Sequence, residues 1–64
     1  MGVQKMYIVH IRPDTWLCKT FDGHWMSTYV RENAFRFLSE HEARSAAVGY
    51  CQGLVEFDTQ EVFK

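Results

Sequence analysis

A single helix with a signal at each end is the feature that most constrains this sequence. Ser39 and Glu42 match a capping box, in which the Ser39 hydroxyl accepts from the backbone N–H of Glu42 and the Glu42 carboxylate reaches back. Glu40 and Glu42 place negative charge at the positive end of the helix dipole. Gly53 offers the left-handed residue that often ends a helix. The sequence therefore predicts one helix between Ser39 and Gly53.

Small apolar residues predict which side of this helix is buried. Leu38 stands at the staple position facing Ala43. Gly49 weakens the helix by about 1 kcal/mol relative to alanine, so it indicates either a helix tucked against its own sheet and tail or a second chain close by. The apolar stripe, spaced for one helical face, comprises Ala43, Ala46, Ala47, Tyr50 and Cys51. A stripe made mostly of alanine favours a helix that lies close to a sheet.

Alternating apolar and polar residues predict strands on both sides of the helix. The predicted elements are strands at 6–12, 15–20 and 25–29, the helix, and a last strand at 54–58 that residues 59–64 either extend or follow as a packed tail. Turns are expected at Pro13-Asp14 and at Asp22-Gly23. The predicted fold class is α+β: a three- to four-stranded antiparallel sheet packed on one α-helix, in the order β-β-β-α-β. The domain is expected to span residues 1–64.

Residues 25–36 are the least regular part of the sequence. Trp25 to Tyr29 could begin a third strand, but the alternation is lost between Tyr29 and Asn33. A loop is expected there, followed by a short extended piece at 34–37. Whether the segment is strand or loop stays open at this stage. Irregular segments of this length often carry binding surfaces.

The composition restricts the class of protein. The chain is 47% hydrophobic and 16% aromatic, which is far from the disordered class, and its net charge of -1 argues against non-specific binding to nucleic acid. Two cysteines are too few for a secreted disulfide framework. The start of the chain lacks a signal-peptide pattern, and no apolar run reaches the ~18 residues that span a bilayer. These features predict a cytoplasmic protein with reduced thiols and no membrane association.

The residue types that carry chemistry are present but badly spaced for it. They are His10, Cys18, His24, His41 and Cys51. None forms the close pairs of structural zinc sites. Cys51 lies near the C-terminal end of the helix, where the dipole disfavours a thiolate, and Cys18 lies within a strand among aromatic residues. The sequence therefore predicts no metal, no cofactor and no catalytic residue, and the protein is not expected to be an enzyme.

Aromatic and basic residues are the predicted binding residues. They are Trp16, Trp25, Tyr29, Arg31 and Arg36. Aromatic and Arg side chains are typical of the hot spots of protein interfaces. Trp25 and Tyr29 are expected to be the most exposed of the aromatics. The alternatives are that aromatic and basic side chains on the sheet bind single-stranded nucleic acid, or that most of the aromatics only fill the core.

The order of these features resembles that of small proteins of bacteriophages and prophages. The resemblance lies in Tyr7-Ile8-Val9, in Asp22-Gly23-His24-Trp25, and in residues 34–37 leading into Ser39-x-x-Glu42. Some proteins of this size class inhibit host defence, anti-CRISPR proteins among them. The resemblance implies an accessory or inhibitor protein in the cytoplasm of a bacterial host, with a host protein as its partner. An exposed edge strand would in addition favour a homodimer.

Overall fold

The computed structural model describes residues 4–63, which form one antiparallel sheet and a helix on one of its faces. The elements are β1 (Lys5–Ile11), β2 (Thr15–Lys19), β3 (Trp25–Thr28), a 3₁₀ helix (Arg31–Asn33), α1 (Glu40–Cys51) and β4 (Phe57–Phe63). The strand order is β3-β2-β1-β4. The predicted α+β fold class is confirmed, and residues 1–3 and Lys64 of the predicted domain lie outside the described residues. No helix within residues 4–63 is long and apolar enough to cross a membrane.

β1 is a central strand because it has a neighbour on each side. It pairs with β4 along its whole length, from Lys5↔Phe63 to Ile11↔Phe57. Its pairing with β2 is short and confined to the end near the turn, where His10 and Ile11 lie opposite Trp16 and Thr15. Because the pairing stops after these two positions, β1 and β2 separate as they leave the turn. The Arg12–Pro13 peptide bond in that turn is cis.

Residues 34–37 occupy the gap between β1 and β2. The backbone N–H of Phe35 donates to the carbonyl of Leu17 at 3.0 Å. Phe37 and Tyr7 exchange two backbone hydrogen bonds, of 2.8 and 2.9 Å, and form an isolated antiparallel bridge. The extended piece expected at 34–37 is thus held between two strands, and it leads directly into α1.

The core lies between the sheet and α1. It consists of Val9, Ile11, Leu17, Phe37, Ala43, Ala47 and Cys51, each at most 5% exposed. Val9 and Leu17 are the largest side chains that are fully buried. Alternation along β1 places Val9 and Ile11 on the same face, as the sequence pattern indicates. Alanine on the helix side lets α1 approach these branched side chains closely.

The ends of α1 follow the predicted caps in part. The Ser39 hydroxyl accepts from the N–H of Glu42 at 3.2 Å, as expected for the N-cap. At the other end the left-handed C-cap is Gln52, with φ of 53°, and Gly53 follows with φ of 77°. The N–H of Gln52 bonds the carbonyl of Val48, so the helix is closed one residue before Gly53. Leu38 is 63% exposed, so the expected hydrophobic staple with Ala43 does not bury it.

The last strand begins later than the sequence predicted. The prediction of a strand from Leu54 is wrong, because the N–H of Leu54 bonds the carbonyl of Cys51 and leaves Leu54 and Val55 exposed in a turn. The pairing with β1 starts where the N–H of Arg12 donates to Glu56. Of the alternatives for residues 59–64, the extension is correct as far as residue 63, and Lys64 lies outside the described residues.

The N-cap gives a stability prediction with a matched control. Replacing Ser39 with alanine should lower the free energy of unfolding by about 1 kcal/mol, because the N–H of Glu42 loses its acceptor. Ser45, which is exposed within α1, is the control: Ser45→Ala should leave stability unchanged or raise it slightly. Urea unfolding followed by circular dichroism measures both variants. Equal effects of the two substitutions would contradict a role for the cap.

Candidate binding surface

The sheet face opposite α1 carries a group of aromatic, basic and amide side chains. Strand pairing brings it together, because His10 lies opposite Trp16 on one side and Asp58 on the other. Opposed residues of neighbouring strands project from the same face. The group comprises His10, Arg12, Trp16, Arg31, Asp58 and Gln60, and we call it the Trp16 face. It lies on the side of the sheet away from Val9, Ile11 and the helix.

Arg31 crosses this face from the 3₁₀ helix. Its guanidinium carbon is 5.4 Å from the centre of the Trp16 ring, and its Nη2 atom donates to Oε1 of Gln60 at 3.5 Å. The His10 ring lies 4.4 Å from the Trp16 ring, tilted by 35°. Ile8, which is paired with Gln60, is only 2% exposed even though the helix is on the other face. His10 and Arg31 thus both contact the Trp16 ring, and Arg31 also contacts Gln60.

Asp58 balances the positive charge at one end of the Trp16 face. Its two carboxylate oxygens lie 3.4 Å from Nη2 of Arg12 and 3.5 Å from Nδ1 of His10. The oxygen near His10, Oδ1, is shielded from solvent and has no hydrogen-bond partner among the described residues. Because the Arg12 and Asp58 side chains are both partly exposed, their ion pair contributes little to stability, about 0–1 kcal/mol.

The loop between β3 and the 3₁₀ helix adds exposed apolar surface beside the Trp16 face. Tyr29 is 82% exposed and Val30 is 47% exposed. The N–H of Val30 donates to the Thr28 hydroxyl at 3.1 Å, and its carbonyl accepts from Asn33 at 3.0 Å. The loop is thus folded back on itself, with its largest side chain in solvent.

Trp25 and Arg36, two further predicted binding residues, lie elsewhere. Trp25 is half-buried on the helix face, with its ring 5.4 Å from that of Phe35 and 5.5 Å from that of Phe37. The expectation that Trp25 is among the most exposed aromatics is therefore wrong, because residues 34–37 enter the sheet beside it. Lys19 covers the Trp25 ring at 5.1 Å. Arg36 is exposed, and alternation along its segment directs it away from the two Phe rings.

Four members of the Trp16 face were not predicted from the sequence as binding residues: His10, Arg12, Asp58 and Gln60. Two of them belong to β4, and their proximity to Trp16 depends on β4 pairing with β1. A sequence pattern shows the alternation within each strand but not which strands become neighbours. The surface of residues 4–63 has no pocket, and within that range no three His, Cys, Asp or Glu side chains could hold a metal ion together.

The Cys51 thiol gives a prediction on reactivity. Burial raises the pKa of Cys51 above the ordinary thiol value of 9.0, so the thiolate is scarce at neutral pH. Cys51 is also only 4% exposed. We expect iodoacetamide at pH 7 to alkylate Cys51 at least tenfold more slowly in the folded protein than in urea, as measured by peptide mass spectrometry. Equal rates in both conditions would contradict the burial of this thiol.

Comparisons with known protein families, with curated proteins and with solved structures found no match. The resemblance to small phage proteins stays a prediction from the sequence.

Proposed function

We propose that this chain is a non-enzymatic interaction protein that binds a protein partner through the Trp16 face and the adjoining Tyr29–Val30 loop. The observation that carries the proposal is Tyr29, an aromatic side chain 82% exposed beside an Arg31 that is already fixed over Trp16. Tyr and Arg are enriched among the residues that dominate protein interfaces, and a Tyr can bury ~150 Å² or more on binding.

The charges of this region favour an acidic partner surface. Arg12 and Arg31 are both exposed on the Trp16 face, and among the described residues Arg12 is the one of the two with a carboxylate, Asp58, within ion-pair distance. The negative charges of the chain are concentrated in residues 37–64, so the basic residues form a local feature of a protein with a net charge of -1. Complementary charge guides association and selects partners more than it adds affinity. A phage-type inhibitor would act in this way, by occupying the surface of a host protein.

The same geometry favours a protein over single-stranded nucleic acid. Binding of bases requires aromatic rings with an open face. The Trp16 ring has His10 at 4.4 Å and Arg31 at 5.4 Å, and the Trp25 ring packs against two Phe rings. Tyr29 is the one predicted aromatic with a largely free ring. One exposed ring beside the Trp16 face makes a poor stacking platform for successive bases, but it makes a good anchor in a protein pocket.

Substitution of Tyr29 tests the proposal. A tagged chain is used to capture a protein from bacterial lysate, and the affinity of the purified pair is then measured by calorimetry. Tyr29→Ala should weaken binding at least tenfold, since hot-spot truncations cost about 2 kcal/mol or more. Tyr50→Ala is the control, because Tyr50 is exposed on α1, on the other side of the sheet.

The outcomes are separable. Selective loss of affinity in Tyr29→Ala, with Tyr50→Ala unchanged, supports the proposed surface. If both variants bind as tightly as the unchanged chain, the surface is wrong. If the captured material is nucleic acid, and its binding falls steeply as salt rises, the protein-binding function itself is wrong and the alternative from the sequence replaces it.

A further inference from the structure

We propose that the free edge of β4 pairs with β4 of a second copy of this chain, joining the two sheets into one continuous antiparallel sheet. This inference goes beyond the proposed function and does not depend on the partner of the Trp16 face. It rests on the length of the edge, on the direction of its backbone groups and on the order of its side chains.

β4 is a long and unprotected edge strand. It has seven residues, against four in β3 at the opposite edge, and its pairing with β1 runs without a bulge from Phe57 to Phe63. Native proteins usually protect an edge with proline, with charged side chains (lysine above all), with a bulge or with a short strand. The sequence of β4, FDTQEVF, contains no proline, glycine or lysine. Among the described residues, no strand lies on its outer side.

The hydrogen bonds of the β1–β4 pair decide which backbone groups face outward. The N–H of Arg12 bonds the carbonyl of Glu56, and in an antiparallel pair every second residue pair from there is hydrogen-bonded. Tyr7 agrees with this alternation, because its N–H and C=O form hydrogen bonds with Phe37 on the side away from β4. The outward-facing backbone groups of β4 are therefore those of Phe57, Thr59, Glu61 and Phe63.

A two-fold axis at Gln60 pairs all of these groups with each other. Phe57 of one copy then lies opposite Phe63 of the other, and Thr59 opposite Glu61, so every outward N–H and C=O gains a partner. An axis at Glu61 would set two carboxylates opposite each other, which is unfavourable. An axis at Thr59 would place Phe63 beyond the end of the other strand. The arrangement centred on Gln60 is the one that pairs the whole strand.

The side chains suit the same arrangement. Phe63 is 63% exposed and Phe57 is half-buried, so each Phe63 would cover the Phe57 of the other copy. Cross-strand aromatic pairs contribute about 0.2–1 kcal/mol each. The two acidic residues of β4 are already balanced within the chain, Glu61 by Lys5 at 3.6 Å and Asp58 by Arg12 at 3.4 Å.

One contact opposes the pairing. Glu61 of the second copy would approach Thr59, whose hydroxyl donates to Glu40 at 3.3 Å. Arg44 lies 3.3 Å from the same Glu40 carboxylate and offsets part of this repulsion. The two-fold axis is perpendicular to the sheet, so both α1 helices would lie on one side and both Trp16 faces on the other.

Engineered cysteines test the arrangement. Gln60 of the two copies would form a non-hydrogen-bonded pair with Cα atoms ~4.5 Å apart, within the range of ~4.4–6.8 Å that a disulfide bridges. Val62 lies on the same face of the strand, but the Cα atoms of its two copies would be ~14 Å apart, at ~3.3 Å per residue along the strand and ~4.5 Å between the strands. Gln60→Cys should therefore form a disulfide-linked dimer under mild oxidation, with the link mapped to residue 60 by mass spectrometry, and Val62→Cys should not.

Light scattering on the unchanged chain completes the test without a substitution. We expect the molar mass to rise from that of one chain to that of two as concentration increases. Doubling of the mass together with selective cross-linking at residue 60 supports the pairing. A mass that stays monomeric at all concentrations overturns it, and so does cross-linking of Val62→Cys as fast as that of Gln60→Cys.

Discussion

Replacing Phe37 with alanine should lower the free energy of unfolding by about 3–5 kcal/mol. Phe37 is 5% exposed, and its ring lies 4.9 Å from that of Phe35 and 5.5 Å from that of Trp25. Truncation would leave a cavity where the segment 34–37 passes between β1 and β2. A domain of this size is expected to have only ~3–10 kcal/mol of stability in total, at ~0.05–0.15 kcal/mol per residue, so a large fraction of the chain should be unfolded at 37 °C.

Phe21→Ala is the matched control for this prediction. Phe21 lies in the turn between β2 and β3 and is fully exposed, so its removal should change stability by no more than about 0.5 kcal/mol. Urea unfolding followed by circular dichroism and by tryptophan fluorescence measures both variants. A loss below about 1 kcal/mol for Phe37→Ala would show that the segment 34–37 is not part of the cooperative core.

Leu17→Ala should lower the free energy of unfolding by about 2–5 kcal/mol. Leu17 is fully buried on β2, and its carbonyl accepts the N–H of Phe35. It belongs to the same core cluster as Val9, Ile11, Ala43 and Ala47. The side chains of Val9 and Ile11 are β-branched, and those of the alanines end at Cβ. These neighbours therefore have little rotamer freedom to fill the space that Leu17 would leave.

Leu54→Ala provides the comparison for Leu17. Leu54 is 85% exposed in the turn that follows α1, and the same chemical change there should cost less than about 0.5 kcal/mol. Thermal unfolding by circular dichroism reports both variants under one set of conditions. If Leu54→Ala were as destabilising as Leu17→Ala, the turn would have to be packed rather than exposed.

The helix and the hairpins could be predicted from the sequence because their signals are local. The Ser39 hydroxyl and the Glu42 N–H are three residues apart, and the Asp22-Gly23 turn joins strands that are neighbours in the chain. The start of β4 could not be predicted in this way. Leu54 and Val55 have the composition of a strand, but the pairing begins only where β1 is within reach, at Glu56.

The candidate site was predicted only in part for the same reason. Tyr29 and Arg31 were identified by residue type, and the structure places both in or beside the Trp16 face. Trp25 was also identified by residue type, but it packs against Phe35 and Phe37 at the edge of the core, because residues 34–37 lie beside it. His10, Asp58 and Gln60 join the site through pairing across the sheet, which no local pattern reveals.

The anchoring of residues 34–37 between two strands has a consequence for the affinity of the neighbouring loop. Residues 29–33 are tied at one end to β3 and at the other, through Phe35 and Phe37, to β2 and β1. A free loop loses about 1–2 kcal/mol of backbone entropy for each residue that a partner orders. Here that entropy is already lost when the chain folds. Tyr29 is thus presented on a preorganised loop, so ordering of the loop backbone subtracts little from the affinity for a partner.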